Sequence, residues 1–131
     1  MVKKIWVLER WTNKDKMAKT YAEMLDITAY SKETGAAGDV VESLKDSAIK
    51  YKEMMEQNPE GYWLGYVGRS NYKRFCSDAK NDLRYFIKEK GENAKNFRVV
   101  EATIEDDAKY WIGYTVTKVN DGVLRYLLAT M

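Results

Sequence analysis

The side chains best suited to chemistry in this 131-residue chain are aromatic and basic. A pentapeptide occurs twice, as Tyr62-Trp63-Leu64-Gly65-Tyr66 and as Tyr110-Trp111-Ile112-Gly113-Tyr114. On a strand, alternation sends the two tyrosines to one face and the tryptophan and glycine to the other. A glycine inside a strand marks a bulge or the close approach of another group. Two readings follow. Paired aromatic strips can flank a ligand floor and stack a base. Alternatively, rings on one strand can cover glycines on its neighbour and so build core. The flanking sequences do not match, so no duplicated domain is inferred.

Gly68-Arg69-Ser70-Asn71 follows the first pentapeptide and opens a helical pattern. A helix N-terminus offers unpaired N–H groups and the positive end of a dipole. Glycine lets the backbone approach an anion there, and arginine adds a charged fork. Lys73, Lys80 and Arg84 then recur at i, i+7 and i+11 on the polar face, with Arg74 close by. They form a basic stripe leading from the anion site. The plainer reading is a capping serine or asparagine followed by a solvated face. The glycine spacing of phosphate-binding or dinucleotide-binding loops is absent.

The same segment carries a family resemblance. Tyr66-Val67-Gly68-Arg69-Ser70-Asn71, followed by Arg74, resembles the second half of the GIY-YIG nuclease motif. In that family the tyrosine and a helix arginine act on the scissile phosphate, and a downstream glutamate holds a metal. Carried over, the resemblance implies Tyr66, Arg69 or Arg74, and an acidic residue such as Glu101. Where the first half of the motif should lie, this chain has the end of a helical pattern and Asn58-Pro59.

Other chemistries are narrowed by composition. There is no histidine, which excludes Ser-His-Asp and Cys-His catalysis and histidine-ligated metals. A single cysteine, Cys76, excludes an intrachain disulfide and a structural zinc site. Cys76 falls on an apolar stripe and reads as core. Glu101, Glu105, Asp106 and Asp107 cluster as carboxylates that bind Mg²⁺ do, yet they fall where a polar turn is expected. The formal net charge is only +2. Its distribution is uneven: residues 69–98 hold nine basic against four acidic side chains, and the remainder is slightly acidic. No apolar run approaches the roughly 18 residues of a membrane-spanning helix, and the N-terminal apolar run stops at Glu9, so a cytoplasmic protein without membrane contact is expected.

These residues must be held by elements that periodicity predicts. Lys3–Trp11 reads as a strand, and Met17, Tyr21, Met24, Leu25 and Thr28 as one face of a helix capped at Thr12-Asn13. A second helix begins at Asp39 with Glu42 completing a capping box, and Asn58-Pro59-Glu60-Gly61 stops it. Tyr62–Val67 is extended. Ser70 or Asn71 caps a third helix with the stripe Tyr72, Phe75, Cys76, Ala79, Leu83, Phe86 and Ile87. Phe97–Glu105 and Lys109–Val119 read as strands. Asn120-Asp121-Gly122 reads as a hairpin turn into a final strand, Val123–Thr130. The expectation is one α+β domain over residues 1–131, ordered β-α-α-β-α-β-β-β. Its sheet is mainly antiparallel, helices pack on one face, and the first strand joins the C-terminal strands. Tyr30, Tyr85 and Trp6 fall off the stripes and read as exposed contact residues.

The functional expectation is a small non-catalytic binding protein for a phosphate-bearing ligand, a nucleotide or single-stranded nucleic acid. Trp63, Tyr66, Tyr110, Trp111 and Tyr114 would stack. Gly68, Arg69, Ser70, Asn71, Lys73 and Arg74 would hold phosphate. No cofactor or metal is expected. The alternatives are a protein-binding accessory or inhibitor of phage type, and the metal-dependent nuclease implied by the resemblance. Symmetric pairing through a sheet edge or exposed tyrosines is a further expectation.

Overall fold

The computed structural model describes residues 2–105 and 113–131. The chain divides into two compact units, one of residues 12–62 and the other of residues up to 11 together with those from 63 onward.

The smaller unit is a helical hairpin of α1 (Lys14–Glu33) and α2 (Gly38–Gln57). Asn13 caps α1 as expected, its Oδ1 accepting from the Lys16 N–H at 2.9 Å. At α2 the expected box does not form. Ala37 is the capping residue, Asp39 lies inside the first turn, and Glu42 faces Lys45 at 3.5 Å. Met17, Val41 and Ala48 are buried.

The larger unit is built on β1 (Val2–Asn13), β2 (Gly61–Arg69), β3 (Phe97–Glu105) and β4 (Thr115–Val119), in the order β2-β1-β3-β4. β1 and β3 pair antiparallel over their length, from Val2 opposite Glu105 to Arg10 opposite Phe97. β3 and β4 pair antiparallel with a bulge between Glu101 and Ala102. The α+β class and the joining of the first strand to the C-terminal part of the chain are therefore observed.

Two helices, α3 (Tyr72–Leu83) and α4 (Asp121–Thr130), pack on one sheet face. Their core joins Leu8, Phe97 and Val99 of the sheet to Phe75, Cys76, Ala79 and Leu83 of α3 and Leu127 of α4. Ile5, Val7, Val100, Ala102 and Ile104 alternate with these residues and are buried on the opposite face. Consecutive residues Val7 and Leu8 of β1 and Val99 and Val100 of β3 are buried, so both faces of the central strands are covered there. α3 continues as a π-helical turn over Arg84–Glu89.

The last element differs from expectation. Residues 123–130 are helical, so the eighth element is α4 and no returning strand forms. Asn120 does not make a hairpin turn; its Oδ1 accepts from the Val123 N–H at 3.1 Å and caps α4. Val123, Leu124, Leu127 and Leu128 then pack on the core, a spacing that suits one helix face and not an alternating strand. Of the expected strand 109–119, residues 109–112 lie outside the described residues, and pairing begins at Thr115.

Candidate functional site

Among the described residues, the two pentapeptides touch through Tyr114 and Gly65. The first lies in β2. Of the second, Tyr110, Trp111 and Ile112 lie outside the described residues; Gly113 has a positive φ of 81° and Tyr114 precedes β4. The Tyr114 ring covers Gly65. A Cβ added at Gly65 would stand 2.5 Å from the Tyr114 hydroxyl and 3.1 Å from Val7 Cγ1, so glycine is what admits the ring. The hydroxyl donates to Glu9 Oε2 at 2.6 Å, and Arg98 Nε donates to Glu9 Oε1 at 2.7 Å. Burial first, and then the Glu9 carboxylate, push the Tyr114 pKa well above the ordinary tyrosine value. Trp63 lies beneath the Arg98 guanidinium, 4.3 Å from ring centroid to Cζ, and edge-on to Trp11 at 5.3 Å. Trp63 and Tyr114 are thus engaged on their own protein.

Tyr66 points to the other side. Its hydroxyl accepts from Arg10 Nη1 at 3.0 Å, and its ring meets Phe86 at 5.0 Å. Arg10 also donates twice to Glu92, at 2.9 and 2.7 Å, and lies 4.5 Å over the Phe86 ring. Burial works against the Arg10 charge, but the bonds to Glu92 and Tyr66 outweigh it and raise its pKa.

The helix start is also occupied locally. Asn71, not Ser70, is the cap, accepting from the Arg74 N–H at 3.2 Å. Gly68 is buried, and its carbonyl accepts from Arg69 Nη1 at 2.8 Å. Arg69 Nη2 lies 3.3 Å from Asp78 Oδ2, close enough for ion pairing but without hydrogen-bond geometry. Asp78 therefore neutralises the arginine expected to meet an anion. Nearby Asp82 is raised in pKa, first by burial and then by the charge of Asp78. Lys73 and Arg74 line a shallow polar hollow with Asn71, Ser77 and Asp78.

What the structure does assemble is the basic stripe. Lys73, Lys80 and Arg84 line one groove of about 560 Å³ along α3, together with Tyr72, Cys76, Ser77, Asn81 and, from α4, Tyr126. Among the described residues none of the three cations forms an ion pair. Lys80 Nζ stands 5.3 Å above the Tyr126 ring, and Arg84 donates to Asn81 Oδ1 at 2.9 Å. Tyr72 is 42% exposed and Tyr126 51% exposed. Tyr72 is backed by Trp6 at 4.9 Å, and burial, then the Cys76 thiol, raise its pKa.

Sequence reasoning found the cations because helical periodicity alone aligns them. It placed Tyr72 on the buried stripe and Tyr126 on a strand, and so missed both tyrosines. The expected contact residue Trp6 packs on the core, whereas Tyr30 and Tyr85 are exposed. The residues named by the nuclease resemblance have separate partners: Tyr66 has Arg10, Arg69 has Asp78, and Glu101 has Lys4 at 2.6 Å and Asn120 at 3.0 Å. No cluster of three metal-ligating side chains occurs among the described residues. None of their helices is long and apolar enough to cross a membrane. Comparison with protein-family models, curated proteins and solved structures found no match to this chain.

Proposed function

We propose that this protein binds a phosphate-bearing ligand, a nucleotide or a single strand of nucleic acid, in the groove between α3 and α4. One observation carries the reading. Three cations without ion-pair partners and two half-exposed tyrosines line the same groove. Its volume of about 560 Å³ lies within the range of about 300–1,000 Å³ usual for ligand sites. Lysine and arginine supply charge to phosphate, and tyrosine supplies a ring for a base. The ligand site proposed here lies further along α3 than the Arg69 turn, because Asp78 already holds that arginine.

The test is a thermal-shift screen of the whole chain against nucleotides and short oligonucleotides. A ligand that binds only the folded state, at a hundred times its Kd, adds roughly 2.7 kcal/mol of stability. The expected result is a rise in Tm that is lost in Lys80→Ala and retained in Arg69→Ala. Stabilisation lost instead in Arg69→Ala would move the site back to the helix start. No shift across the panel would reject the reading and favour a protein partner, for which exposed Tyr30 on α1 is the starting point.

A further inference from the structure

Resting on the groove reading above, we propose that the occupant is a single strand of nucleic acid several nucleotides long, held with little sequence preference, and not a free nucleotide. Lys73 and Arg84 are eleven residues apart on one continuous helical path. At about 1.5 Å per residue their backbone positions are roughly 16 Å apart, with Lys80 roughly 10 Å from the first and 6 Å from the second. A mononucleotide gathers its charge at one end and meets one of these cations, or two at most. A strand presents a phosphate at every nucleotide and meets all three in succession.

The aromatic groups support the same occupant. Tyr72 and Tyr126 flank the cation line with their rings about half exposed. A duplex keeps its bases stacked on each other and offers no ring face to them; an unpaired strand does. Lys80 Nζ stands 5.3 Å from the Tyr126 ring centroid, so a cation for a phosphate and a ring for a base are adjacent. Neither aspartate of α3 lines the groove itself; Asp78 lines the adjoining hollow at the Lys73 end. Asn81 is the amide placed to read a base edge, and its Oδ1 is taken by Arg84. With that acceptor engaged, charge and stacking, which every sequence supplies, are the main means of recognition.

The experiment is fluorescence anisotropy with a labelled eight-nucleotide deoxythymidine strand, with unlabelled ATP, an eight-base-pair duplex and an adenosine octamer as competitors. Each phosphate neutralised on a single strand contributes about −0.7 to the slope of log K against log salt, so three cations give a slope of about −2. Lys80→Ala and Arg84→Ala should each reduce the slope to about −1.4, and Tyr126→Ala should weaken binding about tenfold or more at unchanged slope. Circular dichroism melts of each variant, and the charge-retaining Lys80→Arg, separate lost binding from lost folding. ATP competing as strongly as the octamers would overturn the single-strand inference and leave the groove reading in place. Equal competition by the duplex would overturn it as well. Binding of neither strand nor nucleotide would reject both.

Discussion

Glu9 carries a carboxylate into a place where only 3% of the residue meets solvent. It persists there because both oxygens are used, one by Arg98 and one by the Tyr114 hydroxyl. Removing one partner of a buried pair leaves an uncompensated charge, which costs far more than the intact pair contributes. Arg98→Met should therefore destabilise the protein by about 3 kcal/mol, read from urea unfolding, and also free the Trp63 ring that the guanidinium covers. Gly65→Ala should cost about 1–3 kcal/mol, because its methyl group would press on the Tyr114 hydroxyl. In a Tyr114→Phe background that cost should fall, since the hydroxyl it meets is gone; equal costs in both backgrounds would contradict the contact. The sequence showed that a glycine in an aromatic strand needed an explanation. It did not show which ring would supply one, because that depends on how β2 and the segment before β4 are brought together. Arg69 was legible as a cation at a helix start, but its pairing with Asp78, nine residues on, is set by the turn from β2 into α3.

Helix α4 depends on a single cap that is itself held in place. Asn120 Oδ1 accepts from the Val123 N–H while its Nδ2 donates to Glu101 Oε2 on β3. Losing a helix cap costs about 1 kcal/mol. Asn120→Ala should lower stability by that amount and, because α4 carries Tyr126 into the groove, weaken oligonucleotide binding more than it weakens the fold. Glu101 adds a pH dependence. Its hydrogen bond with Lys4 comes first, then that with Asn120; together they lower its pKa below the ordinary carboxylate value despite burial. A lowered folded-state pKa means stability that is fully present above the unfolded value of about 4.5 and lost as pH falls through the folded value. Glu101→Gln should therefore flatten the acid limb of the stability curve below about pH 4.5. An unchanged limb would show that other carboxylates dominate it. Helix α4 was misread because Asn-Asp-Gly is a good hairpin turn and asparagine is equally a good helix cap. The apolar pairs at 123–124 and 127–128 decide for helix, since Leu127 must face the core that α3 leaves open. β3, by contrast, was legible to its ends, because its β-branched run lies between polar segments.

At the scale of the whole molecule, the +2 net charge conceals a divided surface. All of the excess positive charge lies between residues 69 and 98, the rest of the chain being slightly acidic, and three of those cations meet along α3. Periodicity alone made that stripe visible, because residues spaced by seven and eleven stay on one helix face whatever the tertiary structure. The groove's second wall, brought by α4, was not visible, since it required the last ten helical residues to be recognised as such.

The pairing of β1 with β3 sets a temporal order as well as an architecture. Val2 and Glu105 are partners although 102 residues separate them, while α1 and α2 close on each other through four. Closing long loops is slow and local contacts form early. During synthesis the first strand emerges before both of its neighbours, β2 and then β3, and until β3 follows one of its edges stays open to other chains. In refolding followed by pulsed hydrogen exchange, amides of α1 and α2 should gain protection before those of β1. Dilute conditions or a holdase chaperone should raise the yield by guarding that strand until β3 arrives.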